Sequence, residues 1–252
     1  MTLDAIEAAA WADLYDAAPR SLARALALHH EAIAGAVVFH ARLPTGLFNR
    51  TIVSGSPTDA ALAATAPGAF LQVAPVNLDD GARARLAAAG FARKSTWVKL
   101  TRPAGPPVPD SGSIRVVEAD AALADTFSRT LCAGFEMPEL LVPWHAALVG
   151  RPGWQCYLAY DGAEPIATAA LFTAKDQSWL GAASTIPALR RRGGQRALIA
   201  RRVADATARG SSLLVCETGL PDPDADENPS LRNLLAAGFT VAYERENLVR
   251  MA

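Results

Sequence analysis

Residues 154–209 constrain the fold of this chain more than any other stretch. Residues 154–160 (WQCYLAY), 166–173 (IATAALFT) and 178–185 (SWLGAAST) are short, mainly apolar runs separated by DGAEP and AKDQ. Segments of that length, divided by an Asp-Gly pair and a polar turn, predict three antiparallel strands in succession. Pro187 stops the third, and residues 193–209, closed by Gly210, predict a long helix. Residues 212–217 (SLLVCE) return as a nearly continuous apolar run, the pattern of a strand covered on both faces. Hairpins followed by a helical crossover to a further strand predict an α/β fold with a mixed sheet.

Upstream, residues 113–118 (SIRVVE) read as a strand, residues 121–132 as an amphipathic helix and residues 138–150 as a second helix. Downstream, the polar loop 219–229 leads to a helix over 230–237, ended by Gly238, and a last strand over 239–243. Residues 101–112 (TRPAGPPVPDSG) are too rich in Pro and Gly to continue a helix or a central strand. They are the expected linker between an amino-terminal domain, 1–100, and a carboxy-terminal one, 113–252. Residues 78–100 (LDDGARARLAAAGFARKSTWVKL) echo residues 227–250 (ENPSLRNLLAAGFTVAYERENLVR), each a helix ending in Ala-Ala-Gly-Phe before a strand. A duplication would give two domains of related topology; a common C-cap arising by chance in an alanine-rich chain is the alternative.

The chain has 252 residues, 51% of them hydrophobic and 19% charged, enough apolar material for a sizeable core. Its 24 Lys+Arg against 25 Asp+Glu argue against a general nucleic-acid or membrane-surface binder, which needs an excess of positive charge. Cys132, Cys156 and Cys216 lack the spacing of a disulfide framework or zinc site and fit a reducing, cytoplasmic compartment. His29 and His30, adjacent on an expected helix, and His40 are not expected to form a metal site. The first 20 residues, with Asp4, Glu7, Asp13 and Asp16, do not read as a signal peptide. No apolar run approaches the ~20 residues that cross a bilayer. A homo-oligomer stays open.

The positive charge is nearly all arginine: lysine occurs only at positions 94, 99 and 175, while Arg190, Arg191 and Arg192 are consecutive. They sit between a strand end and the glycine pair Gly193-Gly194 that opens the long helix. Such a turn leaves backbone N–H groups unpaired at the positive end of a helix dipole, where phosphates bind. Arg190, Arg192 and Arg196 add forked donors suited to phosphate oxygens. Cations at a helix start oppose the dipole, so a bound anion explains the cluster better than a solvated face does.

Residues 187–198 (PALRRRGGQRAL) resemble the acetyl-CoA pyrophosphate loop of the GCN5-related N-acetyltransferases (GNAT superfamily), whose pattern is Arg/Gln-x-x-Gly-x-Gly/Ala. Arg190 and Gly193 match its first two fixed positions, and Gln195 replaces the last small residue. The resemblance extends over roughly residues 113–250, through the strand ending Ser184-Thr185-x-Pro187, the Glu217-Thr218 strand, and Asn228, Ser230, Asn233 and Gly238-Phe239. The first part resembles a degenerate second copy, as in tandem GNAT proteins. Its residues 48–55 (FNRTIVSG) correspond to the strand before the loop, but SPTD follows, so that half is expected to lack CoA binding, cover the sheet edge and shape the acceptor pocket.

The resemblance implies an N-acyltransferase that uses acetyl-CoA as co-substrate and a small amine or amino-acid-like acceptor. It implies that the fourth and fifth strands of the domain splay. Ala183, Ser184 and Thr185 would then hold the pantetheine arm, and Arg190, Arg191, Arg192, Gly193, Gly194, Gln195 and Arg196 the pyrophosphate. Asn228, Ser230 and Asn233 would lie near the far side of the arm. Glu217 is the first candidate for general base; Glu136, beside Phe135, is the alternative and a candidate for recognising the acceptor amine. Where many GNAT enzymes carry a tyrosine acid, this chain has Leu234, leaving Ser230 or water for that role. Cys216 reads as a buried structural thiol, and Trp144, Trp154 and Trp179 as core or pocket wall. A non-catalytic acyl-CoA-binding sensor is the competing function.

Overall fold

Hydrogen-bonding demand organises the chain around one sheet. The computed structural model describes residues 1–43, 45–109, 112–220 and 228–250. Its elements are α1 (Leu3–Asp16), α2 (Arg20–Ala25), β1 (His29–Ile33), β2 (Ala36–His40), β3 (Arg50–Val53), α3 (Asp59–Ala64), β4 (Phe70–Val73), α4 (Asp80–Ala88), β5 (Phe91–Pro103), β6 (Arg115–Glu118), α5 (Ala124–Phe135), α6 (Val142–Ala146), β7 (Trp154–Asp161), β8 (Glu164–Ala174), β9 (Gln177–Thr185), α7 (Gly194–Ala208), β10 (Leu213–Gly219), α8 (Pro229–Ala236) and β11 (Thr240–Arg250). Among the described residues the strands form a single mixed sheet of 11, ordered β1-β2-β3-β4-β11-β5-β10-β9-β8-β7-β6. The fold is therefore mixed α/β, with the expected hairpins β7–β8 and β8–β9 and the crossover α7 to the parallel strand β10.

The order at the centre shows that the two halves exchange strands. β5, from the amino-terminal half, lies between β10 and β11; β11, the last strand of the chain, lies between β4 and β5. The echoed sequences end α4 and α8 alike, with Gly90 and Gly238 both left-handed (φ 78° and 83°) before Phe91 and Phe239. Their strands then run antiparallel to each other, Phe91 opposite Arg250 and Thr101 opposite Thr240. The amino-terminal half thus does not cover the sheet edge, as the sequence suggested; it continues the sheet and supplies a central strand.

Both faces are covered. On one, α1, α5 and α6 bury Ile6, Trp11, Trp144, Trp154 and Trp179. On the other, α7 and α8 bury Leu198, Leu214, Cys216 and Leu234, while Leu62, Leu71 and Leu86 pack around α3 and α4. Three sequence expectations change. Residues 101–103 of the expected linker belong to β5, where Pro103 occupies the final position opposite Leu213 and the Ala104 N–H beyond it still donates to the Ser212 carbonyl at 3.0 Å. Residues 110–111 of that linker and 221–227 of the polar loop lie outside the described residues. The helix expected over 138–150 is a 3₁₀ turn, Glu139–Leu141, followed by the short α6, because Pro143 can sit only in a first turn. His29 and His30 lie on β1 rather than a helix, because β2 pairs with them; His29 stacks on His40 and His30 bonds Asp16. Among the described residues there is no group of three or more His, Cys, Asp or Glu placed to hold a metal, and no helix long and apolar enough to cross a membrane.

His145 on α6 makes a pH prediction. It is buried beside Trp144 and Phe48, with Nδ1 3.1 Å from the Leu141 carbonyl, and burial pushes its pKa down to about 4. The unfolded chain takes up this proton first, near pH 6.5. Stability is therefore full above about pH 6.5 and falls by about 3 kcal/mol as pH drops to about 4. Urea melts of His145→Phe across that window should show a shallower fall than wild type.

Candidate active site

The sheet opens beside the arginine-rich loop. β10 pairs with β9 only over residues 213–215 against 177–179, although both strands continue for several residues. Beyond that point β9 is held only by β8 and β10 only by β5, and the two part. A bulge in β9, with Ala182 at φ 44°, accompanies the separation. The N–H of Ile186 donates to Ile166 on the β8 side. Strand alternation then turns the backbone groups of Thr185 and Ala183 toward the gap. Ser184 points elsewhere: its hydroxyl donates to the Leu131 carbonyl of α5 at 3.2 Å. That contact sets the end of α5, with exposed Phe135 and left-handed Glu136, beside the gap.

At the mouth, a 3₁₀ turn (Pro187–Leu189) leads through left-handed Arg191 (φ 67°) to Gly193, whose φ of 92° requires a glycine. Gly193 is the N-cap of α7 and has no side chain to cap it. The amides of Gly194, Gln195 and Arg196 in the first turn therefore lack intrahelical acceptors and point outward. Arg190, Arg191 and Arg196 are exposed and have no ion-pair partner among the described residues. Arg192 differs, reaching the β7–β8 turn at Asp161 (3.1 Å) and Glu164 (3.4 Å). Gln195 does not crowd the loop: its side chain is drawn to α8, donating to Ser230 Oγ at 2.9 Å and accepting from Asn233 Nδ2 at 2.7 Å. Asn228 caps α8 through Ser230 N–H (2.8 Å) and ties it to β10 at Thr218 and the Gly219 carbonyl. Leu234 is buried in the core beneath.

Glu217 lies on the opposite face of β10 from Cys216, with its side chain 8% exposed. Trp179 Nε1 donates to both of its oxygens at 3.0 and 3.1 Å, reaching across from β9. The indole crosses the strand so closely that a Cβ on Gly181 would lie 1.8 Å from the ring, so only glycine fits there. Burial, and then the charge of Glu7, raise the Glu217 carboxyl above its ordinary range, against the pull of Lys99 and Arg245.

The sequence reading missed the company Glu217 keeps. Beneath α1, three acids (Asp4, Glu7, Glu217) meet three bases (Arg50, Lys99, Arg245), all almost wholly inside the protein. Arg245 bonds Glu7 at 2.6 and 3.0 Å and Asp4 at 2.7 Å, and Tyr243 donates to Asp4 at 2.7 Å. Lys99 bridges Glu7 and Glu217. Burial opposes ionisation of Glu7, yet the charges of Arg245, Lys99 and Arg50 hold its carboxyl well below the usual range. The available signal was local: Asp4 and Glu7 stand one turn apart on the otherwise apolar face of an Ala-, Ile- and Trp-bearing helix.

Among the described residues of the amino-terminal half no counterpart to the gap or the loop is seen. β3 and β4 stay paired over residues 50–52 against 70–72, and Thr58 caps α3 with its own hydroxyl, 3.2 Å from the Ala61 N–H. Cys216 is buried and its thiol is pushed up by burial.

No family model matches the chain, and no curated protein matches its sequence. Solved structures match its fold. A GCN5-related N-acetyltransferase from Kribbella flavida aligns with a TM-score of 0.62 at 17% identity, over 89% of this chain and 90% of that one. A second GCN5-related N-acetyltransferase, from Sphaerobacter thermophilus, gives 0.55 at 15% identity, over 84% and 78%. A tandem GNAT protein from the clavulanic acid biosynthesis pathway, solved without AcCoA, gives 0.54 at 15% identity, over 84% and 77%.

Proposed function

We propose that this chain, whose fold is that of the GCN5-related N-acetyltransferases, is an acyl-CoA-dependent N-acyltransferase. In this reading it moves the acetyl group of acetyl-CoA to the primary amine of a small-molecule or amino-acid-like acceptor by direct attack. The observation that carries it is the gap between β9 and β10, which has the uncapped start of α7 at one end and Glu217 on one side.

The residues around the gap fit the donor. Arg190, Arg191 and Arg196, with the first-turn amides of α7, offer a pyrophosphate converging charge-assisted hydrogen bonds. Arg192 would add to them by leaving Asp161 and Glu164. The backbone of Ala183 and Thr185 offers an amide-bearing arm the pairing that β10 does not make. Asn228 and Asn233 support this surface by fixing α8 to β10 and to Gln195. The acceptor would enter on the α1 and α5 side, near Phe135 and Glu136, and meet Glu217. Glu217 would take the amine proton as the N–C bond forms and the C–S bond breaks, while water or the Ser230 hydroxyl returns a proton to the thiolate.

One observation favours the sensor reading: the position where many GNAT enzymes carry a tyrosine acid holds Leu234, buried in the core. Thiol release from acetyl-CoA over a panel of primary amines separates the two. Acceptor-dependent release that falls at least tenfold in Glu217→Gln is expected. Tight acetyl-CoA binding with no acceptor-dependent release would establish the sensor instead.

A further inference from the structure

The anchoring of Glu217 crosses the boundary between the two halves. In the β5–β10 ladder Glu217 stands directly opposite Lys99, so the register itself brings the two side chains to one face. Lys99 is fully buried and its ammonium lies 3.1 Å from Glu217 Oε2. Its other acceptors are Glu7, in direct contact, and Asp4 at 3.5 Å. Trp179 holds the same carboxylate from β9, so both strands bordering the gap contribute to its position, β9 through the indole and β10 through Glu217 itself, and β5 adds Lys99 from behind β10.

We infer that Lys99 is the positioning residue for Glu217, orienting its carboxylate at the gap and keeping it unprotonated, so that the half without a phosphate loop supplies part of the reactive centre. This rests on the reading of Glu217 as general base. A base must be ionised to accept a proton, and Glu217 shares a buried cluster with two other carboxylates. Facing it are Glu7 and Asp4 on α1, Arg50 on β3, Lys99 on β5, and Arg245 with Tyr243 on β11. Arg245 is engaged by Glu7 and Asp4, and Arg50 by Glu7 and the Leu47 carbonyl. Lys99 is the cation of this group that hydrogen-bonds Glu217, and it does so between Glu217 and Glu7, where it separates the two negative charges.

The test is the pH dependence of kcat/KM for acceptor-dependent thiol release in wild type, Lys99→Arg, Lys99→Met, Glu217→Gln and the double variant Lys99→Met/Glu217→Gln. Loss of the ammonium should move the acid limb of Lys99→Met up by about one to three pH units, because a cation within a few ångströms favours the carboxylate by that much. On that limb its rate should fall about tenfold for each unit of the shift, with the acetyl-CoA dissociation constant unchanged. Lys99→Arg should restore a limb near that of wild type. The double variant removes one charge of each sign, so it keeps the cluster neutral even if Lys99→Met does not fold; it should be no slower than Glu217→Gln alone. A wild-type acid limb in Lys99→Met, or a double variant a further tenfold slower than Glu217→Gln, overturns the inference while leaving the acyltransferase standing. A wild type with no acceptor-dependent release, or a Glu217→Gln variant with the wild-type profile, overturns the parent reading and this one with it.

Discussion

Replacing Glu7 by alanine should cost about 3–5 kcal/mol, the range found when one partner of a buried ion pair is removed. The substitution leaves Arg50, Lys99 and Arg245 facing only Asp4 and Glu217, all with buried side chains. Against a total stability of about 5–15 kcal/mol, this is a large fraction. At roughly 2–4 °C per kcal/mol for a chain of this size, the thermal midpoint should drop by roughly 6–20 °C. Asp125→Ala, which breaks an exposed pair with Arg129, should leave the midpoint unchanged and serves as the control. The pH dependence follows from the direction of the Glu7 shift. Its folded carboxyl lies below the unfolded value of 4.5, so its contribution is full above about pH 4.5 and is lost as pH falls toward the folded value. Glu7→Ala should accordingly lose less stability on acidification than wild type. An equally steep acid limb would show that Glu7 is not an ionised member of the cluster.

Reversing charge at the α7 start should weaken acetyl-CoA binding with little effect on stability. Arg190 and Arg196 are exposed and unpaired among the described residues, so nothing in the free protein depends on them. A charge-assisted hydrogen bond contributes about 1.5–3 kcal/mol, so Arg190→Glu/Arg196→Glu should raise the dissociation constant by about a hundredfold or more in calorimetry. Arg192→Ala should raise it only severalfold, because its guanidinium must first leave Asp161 and Glu164. Equal effects at Arg192 and Arg196 would mean that the ion pairs with the β7–β8 turn do not persist in solution. Unchanged binding in the double variant would remove the loop from the donor site.

What the sequence made legible was local. Three short, mainly apolar runs, an Asp-Gly turn and a proline before a glycine pair sufficed for β7, β8, β9 and α7, because each signal acts within a few residues of the structure it sets. The exchange of β5 and β11 had no such signal. It depends on pairings more than a hundred residues apart, and the one hint, the repeated Ala-Ala-Gly-Phe, could also be a common C-cap. The length of β11 was underestimated for a related reason. Glu244, Arg245, Glu246 and Asn247 lie beyond the strand expected over 239–243, yet they continue it, paired with β5 and, from Glu246, with β4 as well. The charge of Arg245 is met inside the protein by acids from the first helix. Glu217 was visible as a carboxylate at a strand end. Its partners were not, because Lys99 and Glu7, both from the amino-terminal half, come beside it only when the two halves share a sheet.

That shared sheet also bears on how the protein can be made. A chain emerging from the ribosome exposes β5 long before β11 exists: the intervening ~150 residues take roughly 8–30 seconds at ordinary synthesis rates. Until then β4 and β5 lack the neighbour that lies between them, and their unpaired edges are open to other chains. Cutting the gene in the 104–112 segment would not yield two independent modules. Each product would lack a strand that its own half needs, and the two would have to be synthesised together and meet before either found a partner of its own kind.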